Sequence, residues 1–196
     1  RWVNGTFVGY SEDSKVAAEF DVTKYLHPGK NLFAFETFRW CDGSWDEDQD
    51  FWRLSGVARP SYLYAKPKDK QIKDIRVVPD LVNDYKDGTL TITTKLKGDV
   101  VMELELTDDK GRMVAQSGGV PDNNGNIVTT IEVPNVHKWT AETPYLYNLK
   151  VNVLGILSSR ERSRGNYPVP VYETVPLKVG FRKDEIKNPQ LLVNGQ

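Results

Sequence analysis

The sequence predicts an all-β protein made of two successive sandwich-type domains, and three observations predict it. Short apolar or β-branched runs recur along the chain, separated by Gly, Pro, Asn and Asp, the punctuation of strands and tight turns. No segment sustains a helical hydrophobic period between caps. The proline- and charge-rich stretch Lys66-Pro67-Lys68-Asp69-Lys70 divides the strand pattern in two, as an extended solvated linker does.

In the first region, Arg1–Val3 and Thr6–Tyr10 flank Asn4-Gly5. That pair suits a type I′ hairpin turn, which needs positive φ at both central positions. Asn4-Gly5-Thr6 also matches a glycosylation acceptor, but the turn accounts for the same residues. Further strands are expected at Ala18–Val22, at Leu32–Phe38 after the Pro28-Gly29 turn, and at Ser61–Ala65. About five strands in so short a region bury too little surface for a complete sandwich, so residues 1–65 read as a domain that lacks its early strands.

Residues 66–71 are the linker and 72–182 the second domain. Its strands are expected at Ile72–Val78, Thr89–Leu96, Val101–Leu106, Met113–Gln116, Ile127–Val133, Leu146–Leu154 and Glu173–Val179. This number and spacing suit an immunoglobulin-like sandwich. Cys41 is the one cysteine, so packing alone must hold the sheets together. Turns are expected at Asp87-Gly88 and Asp109-Lys110-Gly111, a loop at Asn123–Asn126, and an exposed hairpin tip at Ser158–Gly165. Leu191–Gln196 reads as another strand and turn that break off at the start of a further domain.

Composition excludes several classes of function. With 26 basic and 27 acidic residues the net charge is -1, which offers no field for nucleic acid or anionic lipid. Mean hydropathy is -0.51, and no apolar run approaches the roughly 20 residues of a membrane span, so a soluble protein is expected. His27 and His137 are isolated, and Cys41 has no base near it in sequence. Neither a zinc site nor a nucleophile–histidine pair is suggested, and His27 is assigned to the Pro28 turn.

The chemistry concentrates in Arg39–Gly56, RWCDGSWDEDQDFWRLSG, which holds Trp40, Trp45, Trp52 and Phe51 beside the carboxylates Asp42, Asp46, Glu47, Asp48 and Asp50. The acidic run lacks the alternating ligands, sixth-position glycine and twelfth-position glutamate of a calcium loop. Adjacent carboxylates on one loop also cannot supply the opposed acid and nucleophile of a glycosidase. Asp42-Gly43 reads as a turn, and Asp48, Asp50 and Arg53 as an ion-paired loop latched by Trp52. The tryptophans read as core or interface anchors before a sugar-stacking platform. Trp45, beside the turn, is the best placed to face a substrate.

These segments resemble the β-galactosidases of glycoside hydrolase family 2. Arg39–Ser44 is similar to the family's RW-x-DGS segment and Asp48–Gly56 to DQD-x-WR-x-SG, with the lead-in RWVNGTFVGYSEDSKVAAEF before them. Lys138–Tyr147 resembles LWSAE-x-P-x-LY, Gly180-Phe181-Arg182-Lys183 the VGFR exit, and Leu192–Gly195 the LLNG segment. Ala58 and Pro60 depart from the bulky aromatic and acidic residues usual there, and Trp45 stands where tyrosine is common.

The resemblance implies that 1–65 is the C-terminal part of a jelly-roll, galactose-binding-like sugar-binding domain, 72–182 an immunoglobulin-like sandwich, and 183–196 the lead-in to a TIM barrel absent from this chain. The parent is implied to be a retaining β-galactosidase acting on terminal β-galactosides in carbohydrate metabolism. Its catalytic glutamates would lie in the barrel, leaving this chain silent alone. Asp42 is implied to hold sodium and to reach the region of the galactosyl primary hydroxyl, Trp45 to face substrate, and Trp40, Asp48, Asp50, Trp52 and Arg53 to support that loop. Sodium and magnesium are implied for the parent, which is expected to be a homo-oligomer in the cytoplasm or periplasm of a bacterium. The partners implied are a β-galactoside and the chain's own barrel. Two other classes stay open: a stand-alone carbohydrate-binding module using the tryptophan-rich loop, and a structural two-sandwich protein of a cell surface.

Overall fold

In a computed structural model describing residues 1–12, 16–47, 56–57, 59–157 and 168–196, the chain divides into two units, Arg1–Tyr64 and Ala65–Gln196. In the first, Asn4 (φ 49°) and Gly5 (φ 80°) both take the left-handed conformation that the type I′ turn requires. They join β1 (Trp2–Val3) to β2 (Thr6–Phe7), and β3 (Phe33–Ala34) pairs on the other side of β1, giving the antiparallel order β2-β1-β3. Cross-strand Trp2 and Phe7 pack edge to face at 5.6 Å.

The Asn4 side chain ties this hairpin to the next loop. Its amide donates to the Tyr25 carbonyl at 2.9 Å and to Asn31 Oδ1 at 2.8 Å, while its Oδ1 accepts the Leu32 N–H at 2.9 Å. Those bonds occupy the nitrogen that a glycan would need. Asn31 in turn bonds both the N–H and the carbonyl of His27, and the His27 ring lies 3.1 Å from the Pro28 carbonyl. His27 is therefore part of the Pro28 turn, as expected.

Strand formation in this unit is narrower than the sequence suggests. Leu32–Phe38 yields only β3, Ala18–Val22 and Ser61–Ala65 are not strands, and a 3₁₀ turn occupies Thr23–Tyr25. A pleated pattern becomes a strand only where a ladder partner exists, and β1 offers two residues. Val3 is the one buried hydrophobic residue among the described residues of this unit.

The second unit begins with the stretch expected as a linker. Lys66 Nζ donates to the Ile72 carbonyl at 3.2 Å, the Gln71 amide to the carbonyls of Pro67 and Lys68, and Lys70 Nζ to the Tyr172 hydroxyl at 2.9 Å. Seven strands follow: β4 (Gln71–Val82), β5 (Asp87–Lys97), β6 (Val100–Thr107), β7 (Met113–Gly119), β8 (Asn126–Val133), β9 (Tyr147–Gly155) and β10 (Val171–Val179). They form two antiparallel sheets, β4-β5-β8 and β10-β9-β6-β7. The chain crosses between sheets after β5, β7 and β8, the alternation of an immunoglobulin-like sandwich.

Alternation in the sequence fixes what lies between the sheets. On β6, Val100, Met102, Leu104 and Leu106 are buried while Val101, Glu103, Glu105 and Thr107 face outward. Leu90 and Ile92 of β5, Ile131 and Val133 of β8, and Leu149, Val151 and Val153 of β9 join them in the core, with Phe181 and Tyr147 at one end. Each such side chain contributes roughly 1.5–3 kcal/mol of burial. The outer face is polar: Asn152 donates to Glu103 and Glu105 and accepts from Thr174.

Turn chemistry corrects one expectation. Asp87-Gly88 lies inside β5, and the chain reverses instead at Asn83–Lys86, where Asn83, Asp84 and Tyr85 have φ of 51°, 52° and 63°. Asp87 stabilises that corner by accepting from the Asn83 amide and the Asn135 N–H. Gly88 is small for a packing reason, because a Cβ there would lie 2.7 Å from the ring of Phe181. The Asp109–Gly111 turn forms as expected around Asp108, whose carboxylate accepts the N–H groups of Lys110 and Arg112 and the Arg112 guanidinium. The expected tip at Ser158–Gly165 lies outside the described residues.

After Phe181 comes a hairpin of which the sequence suggested only one strand, β11 (Asp184–Lys187) paired with β12 (Gln190–Val193). Asn194 seats it. Its N–H donates to the Lys183 carbonyl, its Oδ1 accepts the Lys183 N–H, and its amide donates to the Trp139 carbonyl at 3.0 Å.

Candidate functional site

Cys41, Asp42, Gly43 and Ser44 fold into the entrance of a five-residue helix, α1 (Gly43–Glu47), so the expected Asp-Gly turn is continued by one helical turn. Ser44 organises it. Its hydroxyl accepts the Cys41 N–H at 3.0 Å and its own N–H donates to the Cys41 carbonyl at 3.0 Å. Trp45 N–H reaches the Asp42 carbonyl at 3.3 Å. The serine is 6% exposed, so a small buried residue fixes a loop in which Asp42 and Trp45 are both exposed.

Asp42 and Trp45 are the two substrate-binding candidates. Asp42 is exposed, and Trp45 is 89% exposed, so neither serves as a core anchor within this unit. Trp40, expected as a supporting anchor, is 59% exposed, with the Arg39 guanidinium 5.2 Å over its ring. The remaining supporting candidates, Asp48, Asp50, Trp52 and Arg53, lie outside the described residues, as does the Ala58 departure.

Tyr10 was not singled out from the sequence. Its hydroxyl donates to Glu12 at 2.5 Å. That bond, aided by the negative charge of Glu12 and by Cys41 and Asp42, pushes the phenol up to about 12. The clue in sequence was the Tyr-Ser-Glu spacing, which sets a phenol within reach of a carboxylate two residues on.

An oxygen-coordinated cation needs several ligands. Asp42 supplies one carboxylate, and among the described residues no group of three or more His, Cys, Asp or Glu side chains could hold a metal. The described residues alone do not complete a sodium site. No helix among them is long and apolar enough to cross a membrane.

Matches along both units give the class: the chain belongs to glycosyl hydrolase family 2. Residues 1–67 match the family's sugar binding domain, and residues 70–162 match a second family 2 domain. Within the family its relatives include β-galactosidases. It is 39% identical over 207 residues to the β-galactosidase of Priestia megaterium, covering 100% of this chain and 19% of that protein. The Clostridium acetobutylicum β-galactosidase is 39% identical over 189 residues, covering 95% and 20%, and the Streptococcus thermophilus one 39% over 198 residues, covering 100% and 18%. The chain thus spans about a fifth of the length of these relatives.

Among solved structures, a Parabacteroides merdae β-glucuronidase matches 65% of this chain and 16% of its own at 18% identity, with a TM-score of 0.51. A Bacteroides uniformis β-glucuronidase matches 65% and 14% at 16% identity, with a TM-score of 0.50. These likenesses concern the fold alone.

Proposed function

We propose that this chain is a non-catalytic portion of a retaining β-galactosidase that hydrolyses terminal β-galactosides in carbohydrate metabolism. In this reading the chain supplies the Asp42–Trp45 loop to the rim of an active site built by a barrel elsewhere in the parent. The carrying observation is the match to β-galactosidases along the whole chain at 39% identity, over only 19% of their length. A (β/α)₈ barrel takes about 250 residues of alternating strand and helix, and the described residues are spent in antiparallel sheets. Chemistry by two opposed carboxylates then belongs to the remainder of the parent.

Asp42 is assigned one oxygen contact to a sodium ion whose other ligands come from outside this chain, and magnesium is assigned outside it too. Trp45 is assigned an apolar wall for the sugar, which its exposure beside Asp42 supports. Residues 1–65, 66–71, 72–182 and 183–196 are assigned as sugar-binding part, connector, immunoglobulin-like domain and lead-in.

The test is hydrolysis of chromogenic β-galactoside, β-glucuronide and β-mannoside by this chain and by the full-length parent. Activity of the parent alone, on galactoside, with turnover and sodium dependence weakened by Asp42→Asn, is expected. A parent indifferent to sodium and to Asp42→Asn would remove the assignment of Asp42. The exposure of Trp40 and Trp45 favours one second reading, a sugar-binding module. It requires saturable glycan binding by this chain that Trp45→Ala abolishes.

A further inference from the structure

The chain carries three Asn-Gly pairs, Asn4-Gly5, Asn124-Gly125 and Asn194-Gly195. Asparagine is a thermolabile residue, and before glycine it is most so, because no side chain shields the following main-chain nitrogen from the asparagine Cγ. The attack requires the side-chain amide to swing back over its own main chain. The structure holds two of the three amides fast. Asn4 donates to the Tyr25 carbonyl and to Asn31 Oδ1, and accepts the Leu32 N–H. Asn194 is 7% exposed, accepts the Lys183 N–H at 3.0 Å and donates to the Trp139 carbonyl at 3.0 Å.

Asn124 differs. It is exposed in the loop between β7 and β8, and among the described residues its side chain has no hydrogen-bond partner; its main-chain N–H alone is held, by Asp122 Oδ1 at 2.8 Å. One contact opposes the reaction, a turn bond from the Gly125 N–H to the Asp122 carbonyl at 2.9 Å, which engages the attacking nitrogen and slows it. Opening that single surface bond frees the nitrogen. Asn4 must give up three side-chain bonds at once, and Asn194 must leave a buried seat, which strands its partners without water to replace it.

We propose that Asn124 is a site of spontaneous deamidation in the folded protein, independent of the activity assigned to the parent. The Gly125 nitrogen bonds to Asn124 Cγ, the Cγ–Nδ2 bond breaks, and the side-chain nitrogen leaves as ammonia with the proton from the Gly125 N–H, closing a succinimide. Water then opens the ring. Addition at Cγ gives aspartate, and addition at the main-chain carbonyl gives isoaspartate, whose main chain runs on through Cβ and Cγ. Either product places a new negative charge two residues from Asp122. Isoaspartate also inserts one carbon just before Gly125, whose carbonyl accepts the Leu96 N–H at 2.7 Å. There is no slack at that contact, since a Cβ on Gly125 would lie 2.3 Å from the Leu96 carbonyl oxygen. The modification therefore loosens the loop from β5.

The experiment incubates this chain in neutral buffer at physiological temperature, with and without urea. The three pairs fall on separate tryptic peptides, so fragment mass spectra assign each conversion to its asparagine. In the folded chain conversion is expected at Asn124 while Asn4 and Asn194 stay at background, and in urea all three convert at similar rates. The converted chain should elute as a more acidic species with a lower urea midpoint. Asn124→Gln, whose longer side chain would have to close a larger ring, should yield no conversion at that position. Conversion at Asn4 or Asn194 ahead of Asn124 in the folded chain overturns the proposal, as does an Asn124 still intact long after the unfolded chain has converted. An acidic species with an unchanged urea midpoint overturns the loosening of the loop.

Discussion

Gly88→Ala puts a methyl group where the structure has no room for one. The new Cβ would lie 2.7 and 2.8 Å from two ring carbons of Phe181 and 3.1 Å from a Val136 methyl. The ring has nowhere to retreat. Phe181 is fully buried, packs edge to face on Tyr147 at 5.3 Å, and its carbonyl accepts the Trp139 N–H at 2.9 Å. Overpacking of this kind costs about 1–3 kcal/mol. Removing a strand glycine returns roughly 0.5–1 kcal/mol of backbone entropy. The net destabilisation is about 1–2 kcal/mol, a fall of roughly 3–10 °C in melting temperature for a unit of this size. Thermal and urea unfolding followed by circular dichroism read the change. Phe181→Leu in the same chain supplies a double-mutant cycle, in which the pair should cost less than the sum of the single changes. A Gly88→Ala protein that melts at or above the unsubstituted temperature refutes the reasoning, because the ring would then be free to move.

Two further outcomes follow from the side-chain networks. Asn4→Ala should cost about 2–4 kcal/mol in the first unit through lost hydrogen bonds and left-handed strain. Asn4→Gly, which keeps the turn and loses only the bonds, should cost less, and urea titration of both separates the two effects. Acid should weaken the second unit through three carboxylates held below their ordinary value of 3.8. Asp87 is held there by the Asn83 amide and Asp122 by the N–H groups of Asn126 and Asn124. At Asp108 burial opposes ionisation, but bonds from the Arg112 backbone and guanidinium outweigh it. Because the folded values lie below the unfolded ones, their contribution is complete above the unfolded value and is lost as pH falls through the folded ones. The urea midpoint should therefore be flat down to about pH 5 and drop below about pH 4, with a shallower drop in Asp122→Asn. An unchanged slope in that variant would discount the Asp122 loop.

The second unit was the more legible of the two. On β5 and β6 the alternation of apolar and polar residues fixed strand, facing and core together, because a strand buried on one face leaves that trace. Gly88 misled because glycine punctuates turns and also yields space to rings, and only the distant Phe181 tells which. In the first unit Leu32–Phe38 has the pattern of a strand, yet most of it lacks a ladder partner, which no local pattern can reveal. The Asp42 loop was legible as a place of interest. Its helical turn, set by the small buried Ser44, was not, since it depends on contacts made after folding.

The left-handed corner at Asn83–Tyr85 also bears on the order of events during folding. Tyr85 and Glu185, which it brings together, are 100 residues apart in sequence. The β11–β12 hairpin can close locally within microseconds, but its seat does not exist until β4 and β5 have turned that corner. Long-range closure of this kind comes late and sets the pace. On a ribosome, where N-terminal elements emerge first, the sandwich can therefore be waiting when Asp184–Val193 arrives. The hairpin then seats on a completed surface, and its protection from hydrogen exchange becomes a clock for the assembly of the whole unit.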